Sequence, residues 1–291
     1  MNIAVISRNP ELYANRRLHA AARERGASVT VIDPLASHEA DFLEAFDAVL
    51  PRFGPVWQRQ GGHLLARMQA LGVVCLNSAE SMSLARNKPA AMAVYRQRGL
   101  PFPESISPQA PLDAKALMRL PFGFPMLIKQ DASAGGWGVH RVDDLASAMA
   151  LMTALELQGE AYTLQAFIAE AAGRDVRAFV CNGRVVAAMQ RIAPPGEFRA
   201  NMHLGARAEV LILHEDETAL VLAATTCLGL AVAGVDLLRT AAGPLLLEVN
   251  AAPGFEALEA ATGCDIAGEM LDLLISRTNG QNVTVNNQNI R

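Results

Sequence analysis

Cysteine is scarce in this chain. The four present, Cys75, Cys181, Cys227 and Cys264, stand far apart with no CxxC pair. Without paired spacing there is no zinc motif and no disulfide framework, and the plain expectation is buried, reduced thiols in a cytoplasmic protein. Positive charge is not in excess either: 25 Lys and Arg against 29 Asp and Glu give a net charge of −4. That balance lacks the basic footprint of a nucleic-acid-binding domain, so any anionic ligand must be met by a local site. The first apolar run, residues 3–6, has no basic region before it and is soon broken by Arg8, which is not the pattern of a signal peptide. Residues 218–235 form an uncharged stretch, yet they include Thr225, Thr226, Gly229 and Gly234. A membrane span needs about 20 predominantly apolar residues. The stretch reads instead as a buried helix to about Leu228 and a strand from about Ala231, with no membrane partner. Two phosphate-binding motifs are missing as well. No GxGxxG follows the first strand, and no Gly-Lys-Ser/Thr follows any glycine-rich loop.

What remains is 291 residues, 51% hydrophobic and 19% charged, enough for two or three small domains. Apolar runs at 2–6, 28–32, 46–50 and 73–76 are separated by helical patterns at 12–25 and 62–71. Strands alternating with helices of this length argue for a parallel sheet covered by helices. A helix pair over 81–98 ends at Gly99, and Pro101 and Pro103 mark a linker. The pattern then changes to strands at 124–129, from 139 and at 162–167, with a helix at 143–157. A hairpin joins 174–181 to 184–190 across Asn182-Gly183, a strong turn signal. The fold class is thus α/β followed by α+β. The expected divisions are 1–86, 87–167 and 168–278, with 279–291, rich in Asn and Gln, as a disordered tail.

Four motifs carry chemistry. A second hairpin pairs 233–238 with 245–250; a turn near Ala242 sets Asp236 almost opposite Glu248, and alternation puts Glu248 and Asn250 on one face. Two carboxylates and an amide oxygen, with no basic residue within 233–238 or 245–250, would repel if left bare. A hard cation such as magnesium, shared with phosphate, resolves the conflict; the solvent side of a half-exposed sheet would resolve it equally. Lys129 ends an apolar strand and is followed by Asp131-Ala-Ser-Ala-Gly-Gly-Trp-Gly138. Such a loop can cradle phosphates through free N–H groups, or be an ordinary glycine-rich turn. Lys88 reads as a solvated helix lysine. In Gly173-Arg-Asp175-Val-Arg177 the acid and the second arginine share a strand face, and Arg199-Ala-Asn201 lies in a loop. Either arginine can clamp a carboxylate or phosphate, or form a surface ion pair. His203 suits a structural hydrogen bond.

The order of these features resembles the ATP-grasp superfamily and, within it, the RimK-like glutamate ligases. The likeness runs from Ile-Ala-Val-Ile-Ser-Arg8 through Phe46-Asp-Ala-Val-Leu-Pro-Arg-Phe-Gly54 to Thr262-Gly-Cys-Asp-Ile-Ala-Gly268, with Glu248-Val-Asn-Ala-Ala-Pro-Gly254 the most specific match. The resemblance implies an ATP-grasp fold behind an N-terminal parallel-sheet domain. ATP would lie between the central and C-terminal parts, with Lys88 and Lys129 on its phosphates and Ser133, Gly135, Gly136 and Gly138 closing above. Gln165, Ala166, Phe167 and Ile168 would form the adenine hinge, Asp175 would reach the ribose, and Arg199, Ala200 and Asn201 would sit at the phosphates. Lys129, Arg199 and Asn201 would be catalytic, with Arg177, Arg199 and His203 at the substrate. Asp236, Glu248 and Asn250 would hold one or two magnesium ions, or manganese in their place. The implied reaction adds an amine, L-glutamate for this family, to a carboxylate of a cofactor, metabolite or protein C-terminus through an acyl phosphate. A cytoplasmic homo-oligomer, dimer or tetramer, with no nucleic-acid or membrane partner, is the corresponding expectation. Alternatives are another amino acid or amine, or an ATP-binding module without turnover. Three positions depart from the family pattern: Ala166 replaces a hinge glutamate, Ala132-Ser-Ala-Gly-Gly136 replaces Glu-Gly-Thr-Gln-Gly, and Leu204-Gly-Ala206 replaces Arg-Gly-Gly. The lost arginine moves the expected acceptor from a ribosomal protein tail toward a small carboxylate.

Overall fold

A computed structural model of the chain describes residues 1–131 and 136–288, with side chains as far as Gly280. The first unit holds β1 (Asn2–Ile6), α1 (Tyr13–Glu24), β2 (Ser28–Ile32), α2 (Ala40–Glu44), β3 (Ala48–Pro51), α3 (Gln58–Ala70) and β4 (Val74–Cys75). Its four strands form a parallel sheet in the order β2-β1-β3-β4, as the alternation of strand and helix predicts. Successive β1 side chains point to opposite faces. Ile3 and Val5 therefore enter one core with Leu18, Ala21 and Ala22 of α1, while Ala4 and Ile6 enter another with Leu64, Leu65 and Met68 of α3.

Two helices lead out of this unit, α4 (Ala79–Arg86) and α5 (Lys88–Gln97). Asn87 ends the first and caps the second, its side chain accepting from the Ala90 N–H. The central unit follows, with β5 (Ser105–Ile106), α6 (Ala114–Leu117), β6 (Met126–Gln130), β7 (Val139–Val142), α7 (Leu145–Leu157) and β8 (Tyr162–Ala166). Its antiparallel sheet, ordered β5-β8-β6-β7, turns Met126, Ile128 and Leu164 onto Ala148, Met152 and Leu155 of α7. That core is its own. The opposite face of β6 carries Leu127 and Lys129.

The last unit holds β9 (Arg174–Cys181), β10 (Arg184–Ile192), β11 (Arg207–Val210), α8 (Glu215–Cys227), β12 (Val232–Thr240), β13 (Gly243–Asn250), α9 (Glu256–Thr262) and α10 (Ile266–Gln288). The β9–β10 turn places Asn182 at φ +53° and Gly183 at φ +69°, the left-handed pair that matches hairpin twist. Five antiparallel strands, ordered β11-β10-β9-β12-β13, share both cores of the first unit. Val176, Ala178 and Val180 pack with α8; Phe179 and Cys181 pack toward α9, α10 and β1. Each fully buried Leu, Ile or Phe there contributes about 1.5–3 kcal/mol, so packing dominates this junction. One polar group adds direction. Buried Asn77 donates to the Val232 and Ala251 carbonyls and accepts from the Ala231 and Val232 N–H groups.

Two expectations change. Residues 279–288 continue α10 rather than forming a disordered tail, while 289–291 lie outside the described residues. Of the cysteines only Cys181 is fully buried. The stretch 218–235 divides between α8 and β12 as expected, and among the described residues no helix is long and apolar enough to cross a membrane.

Candidate functional site

The central sheet and the five-stranded sheet face each other across a cleft of about 740 Å³, counting its open mouth. Lys129, Gly136, Gln165, Ala166, Phe167, Ile168, Asp175, Arg199, Ala200, Asn201, Asp236 and Glu248 all line it. The two sheets supply them by alternation: Lys129 lies on the β6 face turned away from α7, and Asp236 and Glu248 are direct cross-strand partners on β12 and β13.

Asp236 is not the bare carboxylate expected from its hairpin. Its Oδ1 accepts from Arg177 Nη1 at 2.7 Å and its Oδ2 from Arg191 Nη2 at 2.9 Å. The hairpin read alone omits the third strand, β9, which brings Arg177 beside Asp236 in register. Gly234 makes room for this arginine, because a Cβ there would lie 3.3 Å from Arg177 Cζ and 2.7 Å from Pro253 Cβ. Arg177 is thus committed to Asp236 rather than free for substrate. Asp175 is likewise not free for a ribose: the Arg191 fork grips both its oxygens, at 2.6 and 2.7 Å. Burial pushes the Asp175 carboxyl up to about 6, with Arg191 opposing. For Arg191, burial works to lower its basicity, but Asp236 and Asp175 outweigh it and raise it. Arg191 was absent from the sequence-derived set.

Glu248, by contrast, is exposed and has no hydrogen bond or ion pair among the described residues. Asn250 lies farther along the same strand, its Oδ1 accepting from the Ala252 N–H. Among the described residues no three His, Cys, Asp or Glu side chains gather as a metal cage. Two carboxylates with a nearby amide still fit a magnesium ion that takes its remaining oxygens from phosphates and water. The condition is that the two arginines release or share Asp236.

Lys129 lies deep in the cleft. Burial pulls its ammonium down to about 8, against the pull of Glu248 and in line with the repulsion of Lys88. Lys88 does not point freely at phosphates as expected; its Nζ donates to the Gln130 and Asp131 carbonyls at 3.0 and 2.8 Å, tying the start of α5 to the end of β6. Arg199 is held by a second unforeseen residue, Glu197, which takes its Nε and Nη2 at 2.9 and 2.8 Å. Glu197 is held down at about 2 chiefly by that side-chain bond. The remaining Arg199 Nη1 donates to the Gly136 carbonyl at 3.0 Å. Gly136 has φ +80°, and a Cβ there would sit 2.5 Å from Asn201 Oδ1, so only glycine permits this approach. The glycine-rich turn therefore rests on the Arg199–Asn201 loop. His203 is exposed and stacks on Trp137, ring centroids 5.6 Å apart. The Gly138 carbonyl accepts from Gln130 N–H. Ser133 and Gly135 lie outside the described residues.

At the hinge, the Ala166 N–H is already given to the Glu104 carbonyl at 2.8 Å. It is therefore not available to an adenine ring as expected. Phe167 and Ile168, which also line the cleft, follow the end of β8.

Two family models match the chain: a RimK-like ATP-grasp domain over residues 85–274 and a RimK PreATP-grasp domain over residues 1–82. A protein of Halorhodospira halophila named probable alpha-L-glutamate ligase is 38% identical over 286 residues, covering 94% of this chain and 95% of its own. One of the same name from Pseudomonas fluorescens is 38% identical and covers 98% of both chains. Among solved structures, the RimK domain protein ATP-grasp from Sphaerobacter thermophilus superposes with a TM-score of 0.73 at 22% identity, over 94% of this chain and 99% of that one. The ATP-grasp ligase PsnB, complexed with minimal precursor, Mg and ADP, gives 0.70 at 21% identity, over 96% and 98%.

Proposed function

Since this chain belongs to the RimK-like ATP-grasp family, we propose that its cleft joins L-glutamate to a carboxylate acceptor at the expense of ATP. ATP-grasp ligases use ATP and magnesium. The observation that carries the finer reading is the meeting, in one cleft, of Lys129, Arg199 and Glu248, which is exposed, without a partner among the described residues, and directly across from Asp236. Phosphoryl transfer is governed by positioning and charge neutralisation, and these are the groups it requires. The domain division 1–86, 87–167 and 168–278 belongs to the same proposal, with the nucleotide between the last two.

In the proposed sequence an acceptor carboxylate oxygen attacks the γ-phosphorus and ADP leaves. The glutamate nitrogen then attacks the acyl carbon, and phosphate departs as the nitrogen sheds its proton. Asp236, Glu248 and Asn250 would hold the magnesium, which neutralises phosphate charge when bound. With magnesium bound, Asp236 would be shared between the cation and Arg177, while Arg191 stays on Asp175. Lys129 and Arg199 add fixed positive charge, and the Gly136 turn excludes water. Adenine is held by backbone groups at Phe167 and Ile168. Loss of an arginine at Leu204, now a half-buried apolar residue, favours a small cofactor or metabolite carboxylate over a protein tail.

The test is inorganic phosphate release with ATP, magnesium, a panel of amino acids and a panel of carboxylates. Release that requires L-glutamate together with one acceptor is the expected result. ATP binding with no release for any pair would leave a binding module and sink the proposal. A second expectation concerns the buried lysine. Lys129→Ala should weaken ATP binding by about 1.5–3 kcal/mol, the worth of a charge-assisted hydrogen bond. In the free protein Lys129 loses its charge as pH rises through about 8. ATP affinity should therefore fall above that pH in the wild type and stay flatter in Lys129→Ala. Calorimetric titration at several pH values measures both.

A further inference from the structure

A second recess opens beside the nucleotide cleft, and Glu248 lines both. Its walls include Gly54 of the first unit, Arg86 and Lys88 at the α4–α5 junction, Asp131, and Asn250. Arg86 is laid over the Phe53 ring, 4.7 Å from its centroid, and donates to the Gln58 side-chain oxygen and the Phe53 carbonyl. Arg52, the residue before Phe53, donates to the Pro253 carbonyl, and its Nε is buried with no partner. Among the described residues neither arginine has a carboxylate within ion-pair distance, whereas Arg177, Arg191 and Arg199 each have one. Burial lowers both Arg52 and Arg86 to about 10, and for Arg52 the neighbouring Arg86 adds to the effect.

Each guanidinium has five N–H donors, and the bonds given above use only two on Arg86 and one on Arg52. Buried donors and buried positive charge without a partner are costly, and a carboxylate relieves both. The same recess also carries two carboxylates, Asp131 and Glu248, with the Lys88 ammonium on the Asp131 carbonyl. Both signs of charge on one recess suit an α-amino acid rather than a simple anion.

We propose that this recess is the amino-acid site, with Arg86 taking a carboxylate of L-glutamate and Asp131 receiving its ammonium. The assignment rests on the ligase reading for the identity of the ligand. It places the nucleophilic nitrogen by Asp131, two residues along the chain from Lys129 of the nucleotide cleft.

The experiment titrates L-glutamate into the full chain with ADP and magnesium present, by calorimetry, for wild type and two variants. Arg86→Gln removes the fork. Gly54→Leu fills the recess without touching the arginines: a Cβ at Gly54 meets nothing within 4 Å, and its φ of −78° is ordinary for leucine. Wild-type binding that weakens tenfold or more in both variants, with ADP affinity within twofold, is the expected result. Arg86→Lys should recover part of the loss. No binding to wild type, or undiminished binding in Gly54→Leu, overturns the assignment. The ligase reading is scored separately by phosphate release. Glutamate binding lost in both variants of a chain that never turns over ATP would keep the site and reject the ligase. Turnover with glutamate affinity unchanged in Gly54→Leu would do the reverse.

Discussion

Glu248→Gln should reduce ATP-dependent phosphate release by about three orders of magnitude, the upper end of what one preorganised electrostatic group supplies. The fold should not register the change. Glu248 is exposed and unbonded among the described residues, and substitutions of that kind usually alter stability by less than about 0.5 kcal/mol. A neutral amide cannot balance a divalent cation against triphosphate, so the loss should persist at saturating ATP and only soften at high magnesium. Asp236→Asn is a poorer probe of the same idea. It would also leave Arg177 and Arg191 facing a neutral group in a buried site, mixing a stability defect with a catalytic one. Side-by-side thermal midpoints and steady-state rates for Glu248→Gln decide the matter. Near-normal turnover at ordinary magnesium would remove Glu248 from the site.

Arg191→Gln should cost about 3–5 kcal/mol of folding stability, the usual penalty for removing one partner from a buried charge cluster. Two carboxylates depend on this one guanidinium: Asp175 through both oxygens and Asp236 through one. The deficit should also depend on pH, with a definite sign. Asp175 already sits raised by burial, to about 6, with Arg191 opposing. Removing the arginine raises it further. A folded-state pKa above the unfolded one means that the native protein binds the extra proton. Stability therefore falls as pH rises from about 4, the ordinary carboxylate value, through the folded-state pKa. Urea denaturation of wild type and variant at about pH 5 and pH 8 should show the larger gap at the higher pH. A loss below about 1 kcal/mol, equal at both, would mean that the cluster is not a stability element.

That Arg191 escaped the sequence reading has a local cause. Counting back from the Asn182-Gly183 turn in a regular hairpin puts Arg191 opposite Arg174. The register shifts by one between Val185 and Ala187, and Arg191 lands opposite Asp175 instead. A bulge inserts one residue and re-aims everything beyond it, and nothing in Val185-Val-Ala187 announces it. The other hairpin also has a register shift, past Asp236, yet the Asp236–Glu248 pairing was anticipated by placing its turn near Ala242. The partners of Asp236 were hidden for a different reason: strand order across a sheet is set by tertiary packing, so Arg177 on β9 could not be seen from the hairpin. Alternation and turn chemistry, being local, were legible. They gave the parallel sheet, the Asn182-Gly183 hairpin and the split of 218–235 into helix and strand. The C-terminal tail misled because Asn and Gln read as disorder, while the apolar stripe of Ile266, Ala267, Met270, Leu271 and Leu274 anchors the helix they extend.

The described residues form three sheets but not three independent cores. The parallel sheet and the five-stranded sheet share two cores and are pinned by the four bonds of Asn77, whereas the central sheet and α7 close a small core of their own. In terms of cooperativity this makes two unfolding units rather than three. Amides of β6 and β8 should exchange with solvent through partial openings that leave β9 and β12 protected. The cleft lies on the seam between these units, one wall on the stiffer block and the other on the looser one. A ligand that bridges the seam fastens the looser unit to the stiffer, so occupancy of the cleft should be readable as slowed exchange in the central sheet alone.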